Sequence, residues 1–221
     1  MGSFAYRRAR TAINVALAVL IAALVFVRGA EAVTIVAFGD SLTAGYGIAD
    51  ASQHFHIRLE QSLKAAGIDA KVINAGVSGD TTAAGLARLD WSIPDGVDLV
   101  ILELGANDAL RGVPPSVAQG NLDAMLARLA ARKIPVLLAG MLAPPNLGSQ
   151  YGAAFNGIFP QLSGKFGVPL YPFFLDGVAA QTPLLQNDGM HPKAEGVELI
   201  ARNITAYVLW ALKVGPKPPG A

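Results

Sequence analysis

The sequence predicts an α/β protein: a single domain with a three-layer α/β/α fold around one sheet of about five parallel strands. Short apolar, β-rich runs at 33–38, 70–74, 98–104, 135–141 and 168–171 alternate with segments whose apolar residues recur at three- and four-residue steps, the pattern of strands joined by amphipathic helices. A strand–helix–strand unit closes as a right-handed crossover, so its strands lie parallel. Finally, the first three runs each open into a loop rich in Gly, Asn, Asp and Ser, at the edge where open α/β sheets bind ligands.

The first run, 33–38, is apolar enough to be buried on both faces, and it gives way to Gly39-Asp40-Ser41-Leu42-Thr43-Ala44-Gly45. Asp40 and Ser41 suit a helix N-cap, and Ser41 equally suits a nucleophile presented at a strand end. In 53–66, Phe55, Leu59, Leu63 and Ala66 form one helical stripe ended by Gly67. His54 and His56 are two residues apart, a spacing that does not share a helix face, and so are not read as a metal pair. After 70–74, the loop from Asn74 to Thr82 leads to a helix at 82–89 with Asp80 or Thr81 as its cap. Within that loop Gly79 has no side chain to block a ligand from its N–H.

The run 98–104 is the most apolar and leads into Gly105-Ala106-Asn107-Asp108-Ala109-Leu110. Asn107 and Asp108 there could be turn formers or ligand-facing groups. A helix beginning near Pro115 buries Ala118, Leu122, Met125 and Leu129, and the loop 142–150 is expected to rim the pocket. A helix over 151–166 precedes the last strand. Pro192 fits the first position of the final helix, which carries Val197, Ile200, Ile204 and Tyr207 on one side. The proline- and glycine-rich stretch 214–221 reads as a disordered tail.

With 221 residues and 52% hydrophobic content, the chain suits one domain with a sizeable core. Arg7, Arg8 and Arg10 precede an apolar stretch at 12–27, then Ala30-Glu31-Ala32. This is the layout of a secretory signal peptide over 1–32, cleaved before Val33, and predicts a periplasmic or secreted domain at 33–213. A retained anchor is the alternative, but the stretch is shorter than the roughly 20 residues that comfortably span a bilayer. Removing the leader takes four arginines and one glutamate, leaving 13 basic and 15 acidic side chains and a net charge of −2. Nothing in that balance points to nucleic acid. With no cysteine, disulfides and thiolate metal sites are excluded. Oligomeric state is not legible.

Asp188 and His191 stand three residues apart in Asp188-Gly189-Met190-His191-Pro192, close enough for the carboxylate to orient one imidazole nitrogen while the other faces outward. Singly they could be a turn residue and a helix-entry residue. Four blocks, Gly39-Asp40-Ser41-Leu42, Val77-Ser78-Gly79-Asp80-Thr81-Thr82, Leu104-Gly105-Ala106-Asn107-Asp108 and Asp188-Gly189-Met190-His191-Pro192, occur in that order. In them the chain resembles the SGNH hydrolases, or GDSL esterase/lipase family, in its bacterial secreted branch of arylesterases, thioesterases and lysophospholipases. The resemblance covers nearly all of 33–213; the one departure is Ala106, where the family usually has Gly or another small residue.

The resemblance implies a flavodoxin-like sheet and an acyl-serine mechanism. Ser41 would be the nucleophile, His191 the general base then acid, and Asp188 the group that fixes the imidazole tautomer. The N–H groups of Ser41 and Gly79, with the Asn107 side-chain amide, would form the oxyanion hole. Asp40, Ala109, Leu110, Leu142 and Pro144 are the expected substrate-binding residues. The implied substrate is a small acyl ester or thioester, with no cofactor and no metal. Rivals are a carbohydrate O-deacetylase on the same scaffold, against which the apolar rim speaks, and a non-catalytic envelope lipid-binding protein. An α/β-hydrolase is disfavoured because no serine lies in Gly-x-Ser-x-Gly. A metal-dependent phosphoesterase is disfavoured because only three histidines exist and two are poorly placed.

Overall fold

The computed structural model describes residues 32–219; all but the last residue of the expected leader lies outside the described residues. Five strands form one sheet: β1 Val33–Gly39, β2 Ala70–Gly76, β3 Leu99–Glu103, β4 Val136–Ala139 and β5 Leu170–Tyr171. All neighbours pair in parallel, in the order β2-β1-β3-β4-β5. The helices are α1 Ser41–Ala44, α2 Phe55–Ala65, α3 Thr82–Ser92, α4 Ala106–Leu110, α5 Pro115–Ala131, α6 Ser149–Asn156, α7 Ile158–Phe166 and α8 Ala194–Ala211.

The strand order explains the layers. The step from β1 to β2 runs one way along the sheet and every later step runs the other way. Right-handed crossovers therefore put α2 on one face and α3, α5 and α7 on the opposite face. The packing follows: α2 rests against α8, α3 against α5, and α5 against α7. The chain reverses its winding between β1 and β3, the point at which open sheets of this order form a crevice.

All five residues of β3 and the last five of β1 are buried, as are Leu137, Leu138 and Ala139 of β4. Each fully buried Leu, Ile or Phe here contributes roughly 1.5–3 kcal/mol. The last residue of β3 is the exception to this apolar inventory: Glu103 is wholly buried among them.

Two expectations about helices need correction. The segment 151–166 is not one helix but two, α6 and α7, with Gly157 between them. Pro160 gives the reason, since an uninterrupted helix would need its missing N–H to bond the Asn156 carbonyl and its ring would clash there; in the first turn of α7 neither matters. Nor does Pro192 begin the last helix, which starts at Ala194 with Lys193 as N-cap. Pro192 instead forms an antiparallel bridge with Leu185.

Within the stretch read as a disordered tail, Val214 and Gly215 donate to the Leu209 carbonyl at 3.0 and 3.1 Å. The Lys217 ammonium lies 5.6 Å from the Trp210 ring centroid. The first residues of the tail therefore fold back on α8.

Candidate active site

Ser41 is the first residue of α1, a single turn directly after β1. Asp40 caps it, Oδ1 accepting from the Leu42 N–H at 3.0 Å, and Gly45 ends it in the left-handed conformation. Capping and presentation of the serine are thus one arrangement. The Ser41 Oγ is 2.8 Å from Nε2 of His191.

His191 reaches that position because its loop is tied down on both sides. The Gln186 N–H donates to the His191 carbonyl at 2.8 Å and the Lys193 N–H to the Leu184 carbonyl at 2.8 Å. The Gln186 amide also donates to the carbonyls of Tyr46 and Pro192, each at 2.9 Å. Asp188 Oδ2 lies 2.6 Å from the imidazole Nδ1, while Oδ1 accepts the N–H groups of Met190 at 2.9 Å and His191 at 3.0 Å. Those two backbone donors, and then the imidazole, pull the Asp188 carboxyl down to about 2. It is an anion at neutral pH and only accepts hydrogen bonds. Nδ1 therefore carries the ring proton, and the lone pair on Nε2 faces Oγ. The Tyr46 ring stands 4.5 Å from the imidazole, tilted by 40°.

Gly79 turns the loop after β2 with φ of +87°, in the left-handed region that glycine enters without steric cost. Its carbonyl accepts from Arg111 Nη2 at 2.9 Å. Among the described residues the N–H groups of Ser41 and Gly79 have no acceptor. Asn107 sits in the first turn of α4, and its Nδ2 donates to Asp40 Oδ2 and to the Asp80 carbonyl, both at 3.0 Å. An amide nitrogen carries two hydrogens, and both are engaged. The bond to the carboxylate is charge-assisted and the stronger of the two.

Two further side chains hold these loops. Arg88 of α3, largely buried, donates to Asp80 Oδ2 at 2.6 Å, to the Gly39 carbonyl at 2.9 Å and to the Ala75 carbonyl at 2.9 Å. Its guanidinium lies 4.0 Å from the Phe38 ring centroid. Asp108, buried, accepts from the Thr82 N–H at 2.8 Å and hydroxyl at 2.6 Å. The loops after β1, β2 and β3 are thereby locked to one another.

The expected pocket residues divide. Leu110 and Leu142 are exposed, and Pro144, two residues after Leu142, is half-buried. Asp40 and Ala109, in contrast, are buried and do not present a surface to substrate. Asp40 turns inward because its two oxygens bond Leu42 and Asn107. His54, for its part, bonds the Ile48 carbonyl through Nε2 at 3.0 Å.

Tyr46, Arg88 and Glu103 lie outside the residues the sequence motifs point to. For Arg88 and Glu103 a signal existed: each is a charged residue within an otherwise apolar stripe or run, and such a residue folds inward only with partners.

A hydroxyl in line with a carboxylate-oriented imidazole is the equipment for acyl transfer through serine, and the class so defined is that of carboxylic ester hydrolases. The chain belongs to the GDSL-like lipase/acylhydrolase family, whose model matches residues 37–199. It is similar to an arylesterase of Vibrio mimicus, 41% identical over 164 residues, or 74% of this chain and 82% of that protein. It is also similar to the thioesterase 1/protease 1/lysophospholipase L1 of Escherichia coli K12, 37% identical over 175 residues, 79% of this chain and 82% of that one. Among solved structures, the SGNH-hydrolase family esterase AlinE4 matches with a TM-score of 0.69 at 49% identity, over 85% of this chain and 98% of that chain.

Proposed function

We propose that the chain is an exported esterase that cleaves short- to medium-chain acyl esters, and acyl thioesters by the same chemistry, through an acyl intermediate on Ser41. The observation that carries this is the series Ser41 Oγ to His191 Nε2 at 2.8 Å and His191 Nδ1 to Asp188 Oδ2 at 2.6 Å. Ser41 Oγ attacks the acyl carbonyl as its proton passes to Nε2, and Asp188 stabilises the imidazolium that forms. The developing oxyanion takes hydrogen bonds from the N–H groups of Ser41 and Gly79 and from Asn107 Nδ2. The alcohol or thiol leaves with the proton from Nε2. Water then gives a proton to Nε2 as it attacks the acyl carbon, and the acyl–Oγ bond breaks as Nε2 returns that proton to Ser41, releasing the carboxylic acid. Each oxyanion donor lowers the barrier by roughly 2.7–4 kcal/mol.

The exposed Leu110 and Leu142 support an apolar acyl group over a sugar. The relatives' names, arylesterase and thioesterase/lysophospholipase, support the breadth of leaving groups. Export, with cleavage before Val33, rests on the arginines, the apolar stretch and Ala30-Glu31-Ala32. Among the described residues no helix is long and apolar enough to cross a membrane.

The test is a kinetic panel of aryl acetates, longer aryl esters, acyl-CoA and lysophosphatidylcholine, with Ser41→Ala as control. Hydrolysis of the aryl esters by the wild type, abolished in Ser41→Ala, is expected. Turnover that survives in Ser41→Ala contradicts the proposal.

A further inference from the structure

Glu103 ends β3 with its side chain wholly buried, directly beneath α1. Its Oε2 accepts the Asp40 N–H at 3.3 Å and the Thr43 hydroxyl at 2.8 Å, two donors that flank Ser41 in the chain. Its Oε1 is buried with no partner. Gly39 leaves the space for this: a Cβ there would fall 2.2 Å from Thr43 Oγ1 and 2.4 Å from Glu103 Oε2.

We propose that Glu103 is a positioning residue for the nucleophile: its un-ionised carboxyl grips the Asp40 N–H and the Thr43 hydroxyl, and so aims the Ser41 side chain and N–H. The inference rests on Ser41 being the nucleophile. A carboxylate with one oxygen unpaired in a dry core is far more costly than a neutral acid in the same place. The charged groups around it point the same way. Asp40 is the neighbouring acid and would repel a second negative charge, while Arg88, which bonds the adjoining Gly39 carbonyl, spends its donors on that carbonyl, on Asp80 and on the Ala75 carbonyl. Burial first, and then the Asp40 charge, raise the Glu103 carboxyl well above the usual range.

A neutral acceptor can be replaced by another neutral acceptor. Glu103→Gln keeps a carbonyl oxygen for both donors; Glu103→Leu fills the volume and offers none, leaving the Asp40 N–H and the Thr43 hydroxyl unsatisfied. The experiment compares kcat, KM and the pH–rate profile of wild type, Glu103→Gln and Glu103→Leu on one aryl ester, with the rate of Ser41 labelling by a fluorophosphonate. The expected result is a loss of at least about tenfold in kcat and labelling rate for Glu103→Leu, the effect of one buried hydrogen bond, with KM little changed. Glu103→Gln restores both to within about threefold with the wild-type pH profile, a rescue that a required negative charge would not allow. If Glu103→Leu does not fold, Thr43→Val, which removes one of the two donors, takes its place under the same criterion. Equal loss in Glu103→Gln and Glu103→Leu overturns the proposal, and so does wild-type kcat in Glu103→Leu. Activity remaining in Ser41→Ala would instead mark failure of the nucleophile assignment, a separate outcome.

Discussion

Asn107 turns its side-chain amide onto the Asp40 carboxylate, Nδ2 to Oδ2 at 3.0 Å, so the loop after β3 is held by the residue that precedes Ser41. The bond is charge-assisted and worth about 1.5–3 kcal/mol. Asp40→Asn would set two amide nitrogens against each other and free Asn107 to rotate. Its kcat is expected to fall roughly 10- to 100-fold. Asn107→Ala, which removes the donor itself, is expected to lose about 100- to 1,000-fold. Steady-state kinetics on an aryl ester checks both, and an Asp40→Asn enzyme as active as wild type contradicts the link.

The same carboxyl sets a pH dependence of stability. Burial is the largest influence on Asp40 and raises it from 3.8 to about 6, against the lowering effects of Leu42, Asn107 and His191; Asp80 adds to the rise. The folded state therefore holds the proton more tightly than the unfolded chain. Its contribution is fully present below about pH 4 and is lost as pH rises through about 6, a change of roughly 3 kcal/mol. Asp188 works the other way, since its lowered carboxyl contributes above pH 3.8 and is lost only as pH falls toward 2. Urea unfolding of wild type and Asp40→Asn between pH 4 and 7 is expected to show a stability difference that varies over the Asp40 window. A constant difference contradicts the assignment.

Asp188 keeps the ring proton on Nδ1, and a neutral amide does this poorly. Asp188→Asn is expected to lower kcat by up to about 10⁴-fold with KM little affected. Steady-state kinetics on an aryl ester, together with the rate of Ser41 labelling, checks this loss.

Arg88 is the tie between the loops after β1 and β2. Arg88→Met would strand the Asp80 carboxylate and leave the Gly39 and Ala75 carbonyls without their donor. A loss of about 3–5 kcal/mol is expected, read as a lowered urea midpoint. A change below about 1 kcal/mol contradicts a structural role for the pair.

Much of this was legible in the sequence because local chemistry and the fold agree. The five apolar runs are the five strands, with no end moved by more than two residues. Ser41, Gly79, Asn107, Asp188 and His191 stand in motifs that follow strands or precede the last helix. Parallel topology brings the first three to one sheet edge, and the Leu185–Pro192 bridge delivers the histidine. What was not legible depends on which way a side chain turns. Asp40 stands in the motif beside Ser41, yet it faces the core, because its oxygens serve α1 and Asn107. Glu103 lies in the most apolar strand, and only the partners that face it reveal why a carboxyl is tolerated there. Pro160 marks the break between α6 and α7 in the sequence itself, because an uninterrupted helix over 151–166 cannot hold a proline there.

The most direct measurement of the central claim is to quench the enzyme in acid during turnover of an aryl ester and weigh the peptide that contains residue 41. An acyl group on Ser41, formed in a burst and absent from Ser41→Ala, is the result expected. An unmodified Ser41 peptide under continuing turnover, or the acyl group on another side chain, would contradict it.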